Sequence, residues 1–134
     1  MDDNKKFHYV LVADSEAVVR DTLKIKLMSK GYKVILSSSG KEMVIIAGRE
    51  KPDVIITEIN FKDIDMFRAC QVLKGNPRTK DIPIIVLTHE GESLERKFLF
   101  NPYVAKFMTK PFSPREIEKT VSYLISKRDE TAPS

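Results

Sequence analysis

The sequence predicts an α/β fold, a five-stranded parallel sheet with helices on both faces, and three observations carry that reading. Short runs rich in Val and Ile recur five times along the 134 residues. They do not alternate apolar and polar positions, which marks strands buried on both faces. Stretches of helical character separate them, and strands alternating with helices give a (βα)5 chain.

The strand runs are residues 9–13, 33–36, 54–57, 82–87 and 105–108. Between the first two, Val19, Leu23 and Leu27 recur every fourth residue, one apolar stripe of a helix over residues 16–30. Asp14 or Ser15 is a natural cap for it, and Gly31 stops it as the residue just past the end. Ser39-Gly40-Lys41-Glu42 has capping-box spacing ahead of Met43. Asp65 caps a third helix running to Leu73, where Gly75-Asn76-Pro77 ends it. Residues 93–100 read as a short fourth helix, cut off by Asn101-Pro102. Ser113-Pro114-Arg115-Glu116 opens the fifth, with Ile117, Val121 and Leu124 on its apolar side. The boundaries follow: a flexible start over 1–7, one domain over 8–127 and a frayed tail over 128–134.

Composition narrows the function. The chain is 42% hydrophobic and 31% charged, an ordinary globular balance. Its single cysteine, Cys70, allows no internal disulfide and no cysteine-built metal site. The net charge of +4 is not clustered, so no nucleic-acid partner is expected. No apolar run approaches membrane-spanning length and no signal-type segment opens the chain, so a cytoplasmic protein without a membrane partner is expected.

In parallel α/β sheets, chemistry collects at the carboxyl ends of the strands. Here those ends carry Asp14-Ser15-Glu16, then Glu58, Thr88 and Lys110-Pro111. Singly, each has an ordinary explanation as a cap, a loop acid or a surface lysine. Together they set carboxylates, a hydroxyl and an ammonium along one edge.

With these residues in view, the chain resembles the receiver domain of two-component response regulators over roughly residues 8–127. The resemblance rests on Val10-Leu11-Val12-Ala13-Asp14, on Lys51-Pro52-Asp53-Val54-Ile55-Ile56, on residues 76–88 from Asn76-Pro77 to Leu87-Thr88, and on Phe107-Met108-Thr109-Lys110-Pro111-Phe112. It implies a flavodoxin-like, doubly wound sheet in the order 2-1-3-4-5 and a cis peptide before Pro111. It also implies an aspartyl phosphorylation site, with a Mg²⁺ ion held by an acidic pair and the phosphoacceptor. Thr88, Lys110 and the aromatic Phe107 stand at the family's phosphoryl-contact and switch positions.

Three residues depart from the pattern. Glu58 stands at the phosphoacceptor position, its carboxylate displaced by about 1.5 Å relative to aspartate. The acidic pair is reduced to Asp14 and Ser15, one charge short for a divalent ion. His89 follows Thr88 where a small residue is usual, although an exposed loop histidine is the plainer reading. Glu16 belongs to the acidic pocket with Asp14 and Ser15, but if it starts the first helix its side chain aims elsewhere and does not replace the missing metal ligand. The expected metal set is therefore none, with any residual, weakened Mg²⁺ site falling to Asp14, Glu58 and the Asn60 backbone, and no other cofactor.

The combined expectation is a pseudo-receiver that is not an enzyme. Glu58 is expected to pair with Lys110 and fill the space of a phosphoryl group and metal. With no effector segment after Ile125, output is expected through another signalling protein, a histidine kinase or an effector. The face made by the fourth helix, fifth strand and fifth helix is the expected contact, with Phe98, Phe100 and Tyr103 crowded near it, on a monomer or weak homodimer. The alternative is a working receiver phosphorylated by a histidine kinase on Glu58, or on a nearby acid such as Asp63. A flavin or nucleotide binder fits less well, because Asp14 and Glu16 repel phosphate and no phosphate-binding glycine motif is present.

Overall fold

The computed structural model describes residues 7–89 and 103–131. The elements are β1 (Tyr9–Ala13), α1 (Ala17–Ser29), β2 (Lys33–Ser37), α2 (Gly40–Glu50), β3 (Val54–Glu58), α3 (Met66–Gly75), β4 (Ile84–His89), β5 (Lys106–Lys110) and α4 (Pro114–Thr131). The expected helix over 93–100, with Phe98 and Phe100, lies outside the described residues, so α4 is the helix counted fifth in the sequence. All strand pairings are parallel, in the order β2-β1-β3-β4-β5. That is the doubly wound, flavodoxin-like sheet the resemblance implied, and the Lys110-Pro111 peptide is cis.

Both faces of the sheet are covered. Leu11, Ile55 and Val86 point to one side, where α2 and α3 bring Met43, Ile46, Cys70 and Leu73. Val10, Val12, Ile56 and Leu87 point to the other, where α1 and α4 bring Leu23, Leu27, Ile117 and Val121. This is why the central strands β1, β3 and β4 read as unbroken apolar runs: almost none of their residues meets water, whereas the edge strands β2 and β5 are partly exposed.

The helix ends follow local chemistry. After α1 the Tyr32 N–H reaches Leu27 O and the Gly31 N–H reaches Met28 O, with Gly31 at φ 93°. This is a Schellman ending that needs a left-handed residue. Ser39 Oγ accepts from Glu42 N, Asp65 from Phe67 N and Ser113 Oγ from Glu116 N. The cap of α1 differs from expectation. Glu16 holds the N-cap position, and Asp14 Oδ1 accepts from the Glu16 N–H at 2.9 Å. Strand β4 starts at Ile84 rather than residue 82, because Ile82 N is used by a turn to Thr79 O and Pro83 has no N–H. Helix α4 continues to Thr131. Residues 128–131, read as a frayed tail, are helical because no breaker intervenes before Pro133.

Gly40, the first residue of α2, has a steric role. A Cβ there would come 2.4 Å from Ile64 Cγ2 and 2.9 Å from the Phe61 ring. The loop after β3 therefore packs directly on the start of α2, and Asp63 seals the contact. Its carboxylate accepts from Ser39 Oγ, Gly40 N and Lys41 N at 2.5, 3.1 and 3.1 Å.

Candidate functional site

The parallel register brings Asp14, Glu58, Thr88 and Lys110 to one edge, as the sequence places them. Asp14, just past β1, is fully buried, and Glu58, Thr88 and Lys110 are 7%, 3% and 8% exposed. A charged residue so deeply buried needs a partner, and the partners decide what the site can do.

Glu58 turns toward the β1–α1 connection. Its Oε1 accepts from the Ser15 N–H at 2.6 Å and from Ser15 Oγ at 2.8 Å, and Oε2 lies 3.2 Å from the same hydroxyl. Lys110 is paired elsewhere, with Asp14 Oδ2 at 2.8 Å and Glu16 Oε1 at 3.1 Å. The expected Glu58–Lys110 pair is therefore corrected. Glutamate is long enough to reach two donors on Ser15, whereas the short, enclosed Asp14 side chain needs the cation. The Asp14–Lys110 contact is an ion pair rather than an aligned hydrogen bond.

Glu16 lies in the acidic pocket, as expected, with Asp14 and Ser15, but is turned toward Lys110 rather than away. As the cap residue it stays at the strand edge, where its carboxylate meets both Lys110 and, at 3.8 Å, His89 Nε2. His89 is the last residue of β4, its side chain 60% exposed. Arg20, absent from the sequence reading, donates to Asp14 O at 2.7 Å and fixes the turn from the helix side. Its place one turn into α1 was the only signal for it. Phe107 is half-buried on β5 and packs on the α2–α3 side of the core. Asn60, Phe61, Lys62 and Asp63 line a groove of about 480 Å³ with Ser15 and Ser39, beside Glu58. Asp63 is occupied in capping α2.

The electrostatics follow from these contacts. Burial pushes the Glu58 carboxyl above the ordinary glutamate range; the Ser15 donors pull it back in part, and the neighbouring Asp14 adds to the rise. For Lys110 burial acts downward, but the Asp14 and Glu16 carboxylates outweigh it and hold the ammonium above the usual lysine value. Asp63 is lowered, chiefly by the Ser39 hydroxyl and then by the Lys41 N–H. The Cys70 thiol, buried under α3, is pushed up to about 11 and is a core side chain.

A Mg²⁺ ion is the metal such a site implies, and the donors present do not fit it. Asp14 Oδ2 is against an ammonium, Glu58 is engaged by the two Ser15 donors, and position 15 offers a hydroxyl where a second acid is needed. Among the described residues no group of three His, Cys, Asp or Glu side chains is spaced to hold a metal. Among them, too, no helix is long and apolar enough to cross a membrane.

The fold and this edge define a doubly wound α/β domain with an acid–hydroxyl–lysine cluster at the strand ends. The sequence model of the family described as "Response regulator receiver domain" matches residues 10–122, and the chain belongs to that family, the receivers of two-component systems. Similar curated proteins include a probable transcriptional regulator ycf27 of Porphyra purpurea, 33% identical over 120 residues, covering 90% of this chain and 48% of that one. Another is the alkaline phosphatase synthesis transcriptional regulatory protein PhoP of Bacillus subtilis, 33% identical over 131 residues, covering 98% and 52%. The chain thus spans about half the length of these relatives. Among solved structures, a response regulator described as putative from Chloroflexus aurantiacus matches with TM-score 0.80 and 28% identity, over 90% of this chain and 99% of that one. The chemotaxis response regulator CheY4 of Vibrio cholerae matches with TM-score 0.78 and 25% identity, over 88% and 98%.

Proposed function

We propose that this receiver is a pseudo-receiver: a cytoplasmic, non-enzymatic signalling module that acts by binding another protein without aspartyl-type phosphorylation. The observation that carries the reading is the Ser15–Glu58 contact. In-line phosphoryl transfer needs a free carboxylate oxygen at a fixed place, backed by a cation. Glu58 stands where the phosphoacceptor aspartate of the family is expected, is one methylene longer, and spends its oxygens on Ser15. The resulting network holds Lys110 and Ser15 in one arrangement without a phosphoryl group.

The described part of the expected contact face supports a protein partner, a histidine kinase or an effector. A groove of about 530 Å³ at the β5 edge and the start of α4 is lined by Met108, Phe112, Lys106 and Lys119 among others. The test is incubation with Mg²⁺ and a small phosphodonor, read by intact mass. An unmodified mass is the expected result. A stoichiometric gain of about 80 Da, one phosphoryl group, overturns the reading. It would favour the second reading, a working phosphoacceptor, to which the relatives named as transcriptional regulators lend support.

A further inference from the structure

Helix α1 is apolar on two opposite sides. Val19, Leu23 and Leu27 are buried against the sheet. At about 100° per residue, Val18, Ile25 and Met28 fall on the side facing away from it, where they are 69%, 71% and 52% exposed. One exposed aliphatic side chain is ordinary on a protein surface. Three on one helix face form a stripe, and a helix that is apolar on both sides is normally covered on both. Asp21 lies within the same outward face and Lys24 at its edge, both exposed.

These charges say what covers the stripe. When a second α1 is laid antiparallel on the first, with a two-fold axis beside residue 23, Val18 of each copy comes level with Met28 of the other. At about 1.5 Å of rise per residue, Asp21 then lies within about one residue's rise of the other copy's Lys24. The two-fold keeps Asp21 and Lys24 on the same side of the seam in both copies, so the opposite-charge pair forms twice. A parallel arrangement sets Asp21 level with Asp21 and Lys24 level with Lys24, and offers no such pair.

We propose that the outward face of α1 is a self-pairing surface, through which two copies of this chain associate as an antiparallel two-fold dimer with reciprocal Asp21–Lys24 pairs. A two-fold contact requires a patch complementary to itself, and this face has both the apolar and the charged complement. One helix face is small beside a standard interface of about 1,600 Å², so the dimer is weak and concentration-dependent. The surface is distinct from Glu58 and from the β5–α4 groove, and the proposal stands or falls independently of the phosphorylation reading.

Sedimentation velocity on the full chain, from about 10 to 500 μM, reads the association directly. The expected result is a monomer–dimer equilibrium that Ile25→Glu weakens by about tenfold or more, with the fold retained because Ile25 faces solvent. Asp21→Lys is expected to weaken it as well, and Asp21→Lys combined with Lys24→Asp to restore it, the signature of a direct charge pair. A wild-type chain that stays monomeric at the top of the range overturns the proposal and leaves the face to a different protein. A dimer indifferent to Ile25→Glu and to the charge exchange also overturns it, and assigns the contact to another surface.

Discussion

Ser15 Oγ and Glu58 Oε1 lie 2.8 Å apart, and the Ser15 N–H closes on the same oxygen at 2.6 Å. The residue that removes an acid from the site is thus also the one that occupies the acid at the phosphoacceptor position. This makes Ser15 and Glu58, two of the three departures from the receiver pattern, one unit rather than two independent losses, and their reversal should be coupled. Glu58→Asp alone is expected to leave the chain unmodified by a small phosphodonor with Mg²⁺, because position 15 still supplies a donor where a metal needs a carboxylate. Glu58→Asp with Ser15→Asp is expected to gain a Mg²⁺-dependent adduct. Full modification of the single variant, seen by intact mass, would show that the length of Glu58 alone disables the site.

Lys110 is the cation of the site, and its removal should be costly. Lys110→Met leaves Asp14, fully buried, facing no ammonium. Breaking enclosed pairs typically costs 3–5 kcal/mol. This one borders solvent through Glu16, 46% exposed, so a loss of about 2–3 kcal/mol is expected in urea unfolding. An Asp14→Asn, Lys110→Met double variant should recover part of it, since the stranded charge is gone. The pH sign is set by the raised ammonium. Its stabilisation is complete below the ordinary lysine value of 10.5 and is lost as pH rises through the higher folded-state value.

Most of the fold was legible because its signals are local. The Val/Ile runs, the Ser39, Asp65 and Ser113 caps and Gly31 all sit within a few residues of the structure they specify. The site was legible as a set of residues, because strand ends converge in any parallel sheet. Its pairing was not. Whether Lys110 goes to Glu58 or to Asp14 depends on which carboxylate has another donor, and Ser15 N–H faces Glu58 across 43 positions in sequence. The direction of the Glu16 side chain, though not its place in the acidic pocket, was misread for a related reason. Placed inside the helix it would point outward, but as the cap it remains at the strand edge. Asp63 carried no local signal at all, since it caps α2 from more than twenty residues away.

The packing of the β3–α3 loop on α2 should be sensitive to a single methyl. Gly40→Ala places a Cβ 2.4 Å from Ile64 Cγ2 and close to the Phe61 ring. Alanine is otherwise the better helix residue, so propensity and packing oppose each other. Packing should prevail, because both neighbours belong to a loop pinned by Asp63. Overpacking of this kind typically costs about 1–3 kcal/mol. The expected result is a lower unfolding midpoint in urea with an unchanged slope; a more stable variant would show that the loop gives way freely.

Glu58 gives the site a dependence on pH that is opposite in sign to that of an ordinary salt-bridged acid. Its folded-state value lies above the ordinary 4.5, chiefly because burial disfavours the charge. Between 4.5 and that raised value the native chain binds more protons than the unfolded one, so stability rises as pH falls through this window and is lower above it. Glutamine mimics the protonated side chain and still accepts from Ser15. Glu58→Gln is therefore expected to be more stable than the wild type at neutral pH, with the advantage shrinking as pH is lowered toward 4.5. Denaturant unfolding of both chains across that range measures the difference. An advantage that instead grows on acidification would mean that the Ser15 donors outweigh burial and hold Glu58 below its ordinary value.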